Sequence, residues 1–220
     1  MDLRLHFLEA AGDLSSWKDI IRTQIEALRL KIEKIVPAKD HNIAIDVLIG
    51  NDPTNIIPEI GVGGSCYKAE LISISIDSQN ENFSAKLAEG HFAQAIAHEL
   101  HHAMRWARHG YGETLGEAII SEGLADYFST FITSMPVPPW CKVEITNQII
   151  KLAKSQLKNE NYNHYEWFFG TGDLPRWAGY SIGYQLIDLY SRNNDKKSKT
   201  GMVDIDAMEI LNHINKLLKQ

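Results

Sequence analysis

The stretch that decides the fold is LAEGHFAQAIAHELHHAMRWARH, residues 87–109, followed after a short connection by TLGEAIISEGLADYFSTFIT, residues 114–133. In both segments apolar residues recur every three or four positions, which is the period of a helix. Gly110 is a residue type that commonly ends a helix, and Thr114 followed by Glu117 fits a capping box that begins the next one. We therefore predict two consecutive helices.

Upstream of these helices lie one more helical pattern and two strand patterns. Residues 14–35 carry apolar residues on one helical face, and residues 42–49 form a short β-branched run. Residues 70–77, ELISISID, alternate isoleucine with serine or aspartate from Ile72 onward. Alternation with one polar face is typical of a half-exposed strand in an antiparallel sheet or at a sheet edge.

Downstream, MPVPPW at residues 135–140 ends the second helix. Three more helical patterns follow, over residues 142–158, 176–191 and 203–219. The run KKSK at 196–199 is expected to be a solvated loop. We predict an α+β fold in a single domain over residues 1–220, with a sheet-containing N-terminal lobe over about 1–85 and a helical part over about 86–220.

The composition narrows the class of protein. Hydrophobic residues make up 44% of the 220 residues, enough for a packed core, so a disordered chain is excluded. The net charge of −6 argues against a nucleic-acid-binding protein, and the 2 cysteines exclude a disulfide scaffold. The N-terminal segment has no signal-peptide core, and no apolar run is long enough to span a bilayer. We expect a cytoplasmic protein without a nucleic-acid or membrane partner, and the oligomeric state stays open.

Residues 98–102, HELHH, carry the chemistry. His98 and His102 are four residues apart, so on a helix their imidazoles share a face and can converge on one metal ion. Glu99 is rotated by about 100° from His98, where its carboxylate can reach a metal-bound water without being a ligand. This HExxH spacing is typical of Zn²⁺ sites with two nitrogen ligands and a general base. The alternative is a His-rich solvated helix face, and His101, which is outside the spacing, fits that alternative.

Catalytic zinc needs a third protein ligand and an open fourth position, and the sequence offers four candidates. The metzincin spacing fails, because Arg105 and Arg108 stand where its glycine and histidine would be. His109 has the wrong helical phase. Two candidates remain, Cys66 upstream of the motif and Glu122 about two turns into the second helix.

Glu122 stands in SEGLADY, where packing of the two helices would bring it against the histidines of HExxH. Gly123 beside it would let the helices approach closely. Asp126, one turn further on, can accept the free ring N–H of a ligand histidine and fix its tautomer. The alternative for Glu122 and Asp126 is an exposed carboxylate pair, but beside HExxH we favour the metal interpretation.

Together, HELHH and EGLAD resemble the gluzincin zinc peptidases, whose signature is HExxH, a later Glu ligand and often ExxxD. The wider pattern, AHELHHAMR, TLGEAIISEGLADYF and LPRWAGYSIGYQLI, is similar to a family of small, mostly bacterial domains described as predicted zinc-dependent proteases. The resemblance covers about residues 60–192. It implies bound Zn²⁺, a peptidase-like site and a zincin-like fold. That fold has a small, mostly antiparallel sheet with an edge strand beside the active-site helix, followed by a helical C-terminal lobe.

The resemblance also implies two flanking elements. Gluzincins present an edge strand whose backbone pairs with an extended substrate, and segment 66–77 is placed for this role, with an ordinary core strand as the alternative. They commonly use a Tyr or His as electrophile toward the oxyanion. Tyr180 in GYSIGYQ is our choice, with Tyr184, His164 and Arg176 as the other candidates. The alternative for the two tyrosines is half-buried packing.

We therefore expect a zinc metallopeptidase that acts on a peptide or protein substrate. Glu99 activates the metal-bound water, Tyr180 stabilises the oxyanion, and His98, His102 and Glu122 bind the metal. A deformylase-like small-amide hydrolase would instead use Cys66 as a ligand. A catalytically silent, metal-stabilised binding module is the remaining alternative, although it has no need of a base at Glu99.

Overall fold

The computed structural model describes residues 1–194 and 200–217 as a mixed α/β chain. The predicted solvated loop at 196–199 and the end of the predicted C-terminal helix lie outside the described residues. The chain divides into two compact units, Met1–Ala107 with Ser129–Met135, and Arg108–Phe128 with Pro136–Gln220. The single domain over 1–220 stays a prediction. No helix in the described part of the chain is long and apolar enough to cross a bilayer.

The first unit contains a four-stranded sheet with strand order β1-β2-β4-β3. Its strands are β1 (Asp2–Leu8), β2 (Ala44–Asn51), β3 (Val62–Lys68) and β4 (Leu71–Ile76). β1 and β4 both pair in parallel with β2, whereas β3 pairs antiparallel with β4. The prediction of a mostly antiparallel sheet is therefore wrong. Helix α1 (Lys18–Ile35) lies between β1 and β2 in the sequence, and a long crossover of this kind is what parallel neighbours require.

The N-terminal strand β1 was not predicted. Leu3, Leu5 and Phe7 alternate with polar residues and form the less exposed face of β1. The period-two pattern is thus present in DLRLHFL. Such a pattern does not specify which strand pairs with β1 or whether the pairing is parallel.

The alternation predicted over residues 70–77 is confirmed in β4. Ile72, Ile74 and Ile76 are fully buried, whereas the residues between them are partly buried. β4 has a strand on each side, so the sheet edge next to it is β3 and not β4. The apolar face predicted for α1 is confirmed by four buried residues, Ile21, Ile25, Leu28 and Ile32.

The helix predicted over residues 87–109 is two helices in the structure. After the short α2 (Ala38–His41), α3 runs over Phe83–Glu89 and α4 over His91–His109. Gly90 separates α3 from α4. Its φ is +102°, a left-handed backbone conformation that residues other than glycine rarely adopt. The period of apolar residues continues across the break, so periodicity alone does not reveal it.

The capping box that begins α5 (Leu115–Thr133) is confirmed. The Glu117 N–H donates to Thr114 Oγ1 over 3.3 Å, and the Thr114 N–H donates to Glu117 Oε2 over 2.9 Å. Gly110, with φ at +61°, follows the end of α4 as predicted.

The second unit is helical and is built around α5. Its other elements are a 3-10 turn (Pro139–Cys141), α6 (Asn147–Gln156), a π-helical turn (Tyr165–Phe169), α7 (Ala178–Arg192) and α8 (Ala207–Leu217). One side of α5 packs Ile120 and Leu124 with residues of α7 and α8. Another side packs Leu115 and Ile119 against Trp167. α5 is apolar on several faces because it is surrounded by packed elements.

Helices α5 and α7 touch through their backbones at two glycines. A Cβ added to Gly123 would lie 2.3 Å from the carbonyl carbon of Gly183, and one added to Gly183 would lie 2.2 Å from the Ile119 oxygen. Gly123 is expected from the sequence to allow close packing against the HExxH helix, whereas the neighbour that Gly123 meets within the second unit is Gly183 of α7.

We expect Gly183→Ala to destabilise the protein, because the added methyl group overlaps the α5 backbone. The free energy of unfolding should fall by about 1–3 kcal/mol, measured by urea denaturation. Gly50→Ala in β2 is the matched control, since a Cβ there meets its nearest atom at an ordinary 3.5 Å. Equal stability of the two variants would contradict the proposed backbone contact.

Candidate metal centre

Helix α4 places His98 and His102 one turn apart, as the spacing predicts. Their Nε2 atoms are 3.0 Å apart and their ring centroids 4.8 Å apart. Two imidazole nitrogens on one tetrahedral zinc ion are separated by about 3.3 Å, given zinc–nitrogen bonds of about 2.0–2.1 Å. Two unprotonated nitrogens this close repel each other unless a proton or a cation lies between them. The pair is therefore arranged as two nitrogen ligands of one ion would be.

Glu99 is buried and lies against the backbone of strand β3. A Cβ added to Gly64 would lie 2.6 Å from both Cγ and Oε1 of Glu99, so any other residue there would force the Glu99 side chain to shift. Gly63 is equally confined, since its added Cβ would lie 2.1 Å from the Asn55 oxygen. The GG pair lets the HExxH helix and a loop both approach β3. The first unit thus has an edge strand beside the HExxH helix, and that strand is β3.

Cys66 is not placed to act as a third metal ligand beside the two histidines. Its thiol donates to the Lys68 carbonyl oxygen over 3.4 Å. Within the described part of the first unit, Cys66 does not approach both histidines closely enough for the three to share one ion. The ligand role considered for Cys66 therefore has no support in the first unit.

The alternative of a solvated helix face, which His101 fitted, is wrong for that residue. His101 is fully buried, and so are Gln94 and Arg105, with at most 2% of each residue exposed. Buried polar groups of this kind are hydrogen-bonded in native proteins. The helix is therefore buried around much of its circumference, which the sequence did not indicate because these residue types are usually exposed.

In the second unit, α5 buries both of its predicted site carboxylates. Glu122 is 6% exposed and Asp126 is 0% exposed, so the alternative of an exposed pair is wrong. Glu122 Oε1 accepts a hydrogen bond from the Tyr111 hydroxyl over 2.7 Å. Tyr111 was not predicted, and the signal available was an aromatic residue between the two glycines of GYGE.

Asp126 is held by a chain of contacts that reaches α7. Its Oδ1 accepts a hydrogen bond from the Trp140 indole N–H over 3.0 Å. The Trp140 carbonyl accepts from the Ser181 hydroxyl over 2.7 Å, and that hydroxyl accepts from the Val143 N–H over 2.9 Å. Ser181 belongs to GYSIGYQ. This motif therefore holds the backbone around Trp140, whose indole N–H donates to Asp126. Burial, followed by the charge of Asp126, raises the pKa of the nearby Cys141 thiol, which stays protonated.

The two candidate tyrosines of α7 lie in different surroundings. Tyr180 packs edge-on against Phe168, with ring centroids 5.1 Å apart. Burial, then the charge of Glu122, holds the pKa of Tyr111 well above its ordinary value. Tyr184 packs against Tyr127 instead, and burial raises the pKa of Tyr184 to about 12. Tyr180 and Tyr111 both pack against the buried cluster that contains Phe168, whereas Tyr184 lies beside Tyr127.

The two other candidates for stabilising the oxyanion, His164 and Arg176, also have different neighbours. His164 stacks on Phe168 at 4.5 Å, and its ring lies 5.9 Å from that of Tyr111. Burial lowers the pKa of His164, although the charge of Glu122 opposes the shift, so its imidazole is neutral at pH 7. The Arg176 guanidinium stacks over the Trp177 ring at 4.1 Å. His164 thus belongs to the aromatic group around Tyr111.

Comparison with known proteins identifies the family. A family model described as predicted Zn-dependent protease (DUF2268) matches residues 20–212. No protein of curated function and no solved structure matches the chain significantly. The matched range is most of the chain and includes both HELHH and EGLAD, and the protein therefore belongs to this family of predicted Zn-dependent proteases.

Proposed function

We propose that this protein is a zinc-dependent peptide-bond hydrolase whose metal ligands are His98, His102 and Glu122. The observation that carries the proposal is the 3.0 Å separation of the two histidine Nε2 atoms on α4. Two imidazoles and one carboxylate are the donor types that catalytic zinc uses when a fourth position stays open. The family description points to the same metal and the same reaction.

The donor chemistry of Glu122 suits this role. A carboxylate has two oxygens and about four acceptor positions, so the bond from Tyr111 to Oε1 is compatible with binding a metal as well. A buried carboxylate on an apolar helix is also costly unless it is paired or bound to a metal. Imidazole nitrogens favour zinc over the oxygen-preferring Mg²⁺ and Ca²⁺.

When bound, Zn²⁺ lowers the pKa of water and polarises the scissile carbonyl group. Glu99 takes the proton from the attacking water and passes it to the leaving amine. Its rotation away from the two histidines on α4 keeps it from acting as a ligand. Its contact with Gly64 limits the positions that the carboxylate can take, which keeps the base in place.

Strand β3 offers a place for the substrate backbone. It pairs with β4 along one edge, and Gly64 and Ser65 are exposed at the level of Glu99. An extended peptide can add to such an edge through main-chain hydrogen bonds. In this proposal Tyr180 donates to the oxyanion. Tyr180 packs against the same buried cluster as Tyr111, which donates to Glu122, and this supports Tyr180 over Tyr184.

The first test is metal content. We expect the purified protein to bind about one Zn²⁺ per chain, and His98→Ala or His102→Ala to lose most of it, because each removes a nitrogen ligand. Metal analysis after dialysis measures this, with His6→Ala on β1 as a histidine control. Full zinc occupancy in both ligand variants would place the site elsewhere.

The second test addresses the general base. Glu99→Gln is nearly isosteric but cannot accept the proton of water, so zinc should stay bound while peptide cleavage falls by about 10²–10⁴-fold. Cleavage of a peptide library measures the rate, and Glu160→Gln, an exposed glutamate of the second unit, is the control. Zinc binding without cleavage by the wild type would favour a silent binding module instead.

The third test uses the glycine under the base. In Gly64→Ala the new methyl group overlaps Glu99, so we expect kcat/KM to fall by roughly 10²-fold through misplacement of the carboxylate. Zinc content should not change, since Gly64 carries no ligand atom. Gly50→Ala is again the matched control, and wild-type turnover in Gly64→Ala would show that Glu99 needs no such support.

A further inference from the structure

The hydrogen bond from Tyr111 to Glu122 has no role in the mechanism above. The phenol donates to Oε1 over 2.7 Å, which is the distance of a strong hydrogen bond to a carboxylate. The donor and the acceptor are separated by 11 residues, so the bond is not part of the hydrogen bonding of α5.

The short connection between α4 and α5 holds Tyr111 in place. Gly110 and Gly112 on either side have φ of +61° and +110°, a conformation that favours glycine. A Cβ added to Gly112 would also lie 2.4 Å from the Cβ of Glu117. The connection then enters the capping box of α5. Both ends of the tyrosine's backbone are thus constrained.

The ring of Tyr111 is constrained as well. It packs against His164 with centroids 5.9 Å apart at 61°. Tyr111 also lies beside the buried cluster that contains Trp167 and Phe168. The position of the phenol oxygen is therefore constrained. The Glu122 side chain, in contrast, has three rotatable bonds about which it can turn.

We propose that Tyr111 is a positioning residue that orients the Glu122 carboxylate for metal binding. The inference rests on the proposed function, because it takes Glu122 as a ligand. A ligand whose orientation is fixed before the metal arrives loses less conformational freedom on binding. Hydrogen-bond partners of metal ligands typically change metal affinity by about 10–100-fold when they are removed.

The test is the zinc affinity of Tyr111→Phe, measured by competition with a chromophoric chelator. Phenylalanine keeps the ring and its packing and removes only the donor. We expect zinc binding to weaken by about 10–100-fold. Tyr162→Phe is the matched control, because the charge of Glu122 acts on this tyrosine as well, yet no hydrogen bond joins the two in the described residues. Thermal unfolding with EDTA present checks that both variants are folded.

A double-mutant cycle separates positioning from a general structural role. In a Glu122→Ala background there is no carboxylate to orient, so adding Tyr111→Phe should change zinc affinity by less than about 3-fold. An equal loss in both backgrounds would overturn the inference, as would unchanged affinity in Tyr111→Phe alone. A wild-type protein that binds no zinc would instead refute the proposed function, and this inference with it.

Discussion

The burial of two carboxylates on the apolar helix α5 is the constraint on which the second unit depends. A buried carboxylate must be met by hydrogen-bond donors, and each of the two receives one from an aromatic side chain. Tyr111 comes from the connection before α5, and Trp140 from the proline-rich segment after it. Ser181 of α7 then fastens the Trp140 backbone. Hydrogen bonds thus link three separate segments, directly or through Trp140, to the two carboxylates of α5.

Glycines allow close approaches in both units. Gly64 lets Glu99 lie on the backbone of β3, and Gly123 and Gly183 let α5 and α7 touch. At each of these points a single methyl group would overlap the neighbouring atoms. In each unit a glycine thus stands beside a residue of the proposed site, Gly64 beside Glu99 and Gly123 beside Glu122. The GYSIGYQ motif contributes to both kinds of contact, because Gly183 meets the α5 backbone and Ser181 donates to the Trp140 carbonyl.

Much of the candidate site could be predicted because it depends on local spacing. A four-residue interval puts His98 and His102 on one helical face in any surroundings. The capping box at Thr114 and Glu117 is equally local. The partners of the site are different. Tyr111 and Trp140 are 11 and 14 residues from the carboxylates they contact, and neither spacing corresponds to a neighbour within one helix. No periodic pattern marks them.

The sequence by itself determined the helical period, the HExxH face and the alternation of β4, because each is carried by residues close together in the chain. The tertiary structure decided the parallel pairing of β1 and β4 with β2, the place of β3 at the sheet edge and the burial of His101. It also decided which donors reach the carboxylates of α5. These features depend on which distant segments meet. Alternation shows which face of a strand is buried, but it does not specify the neighbouring strand.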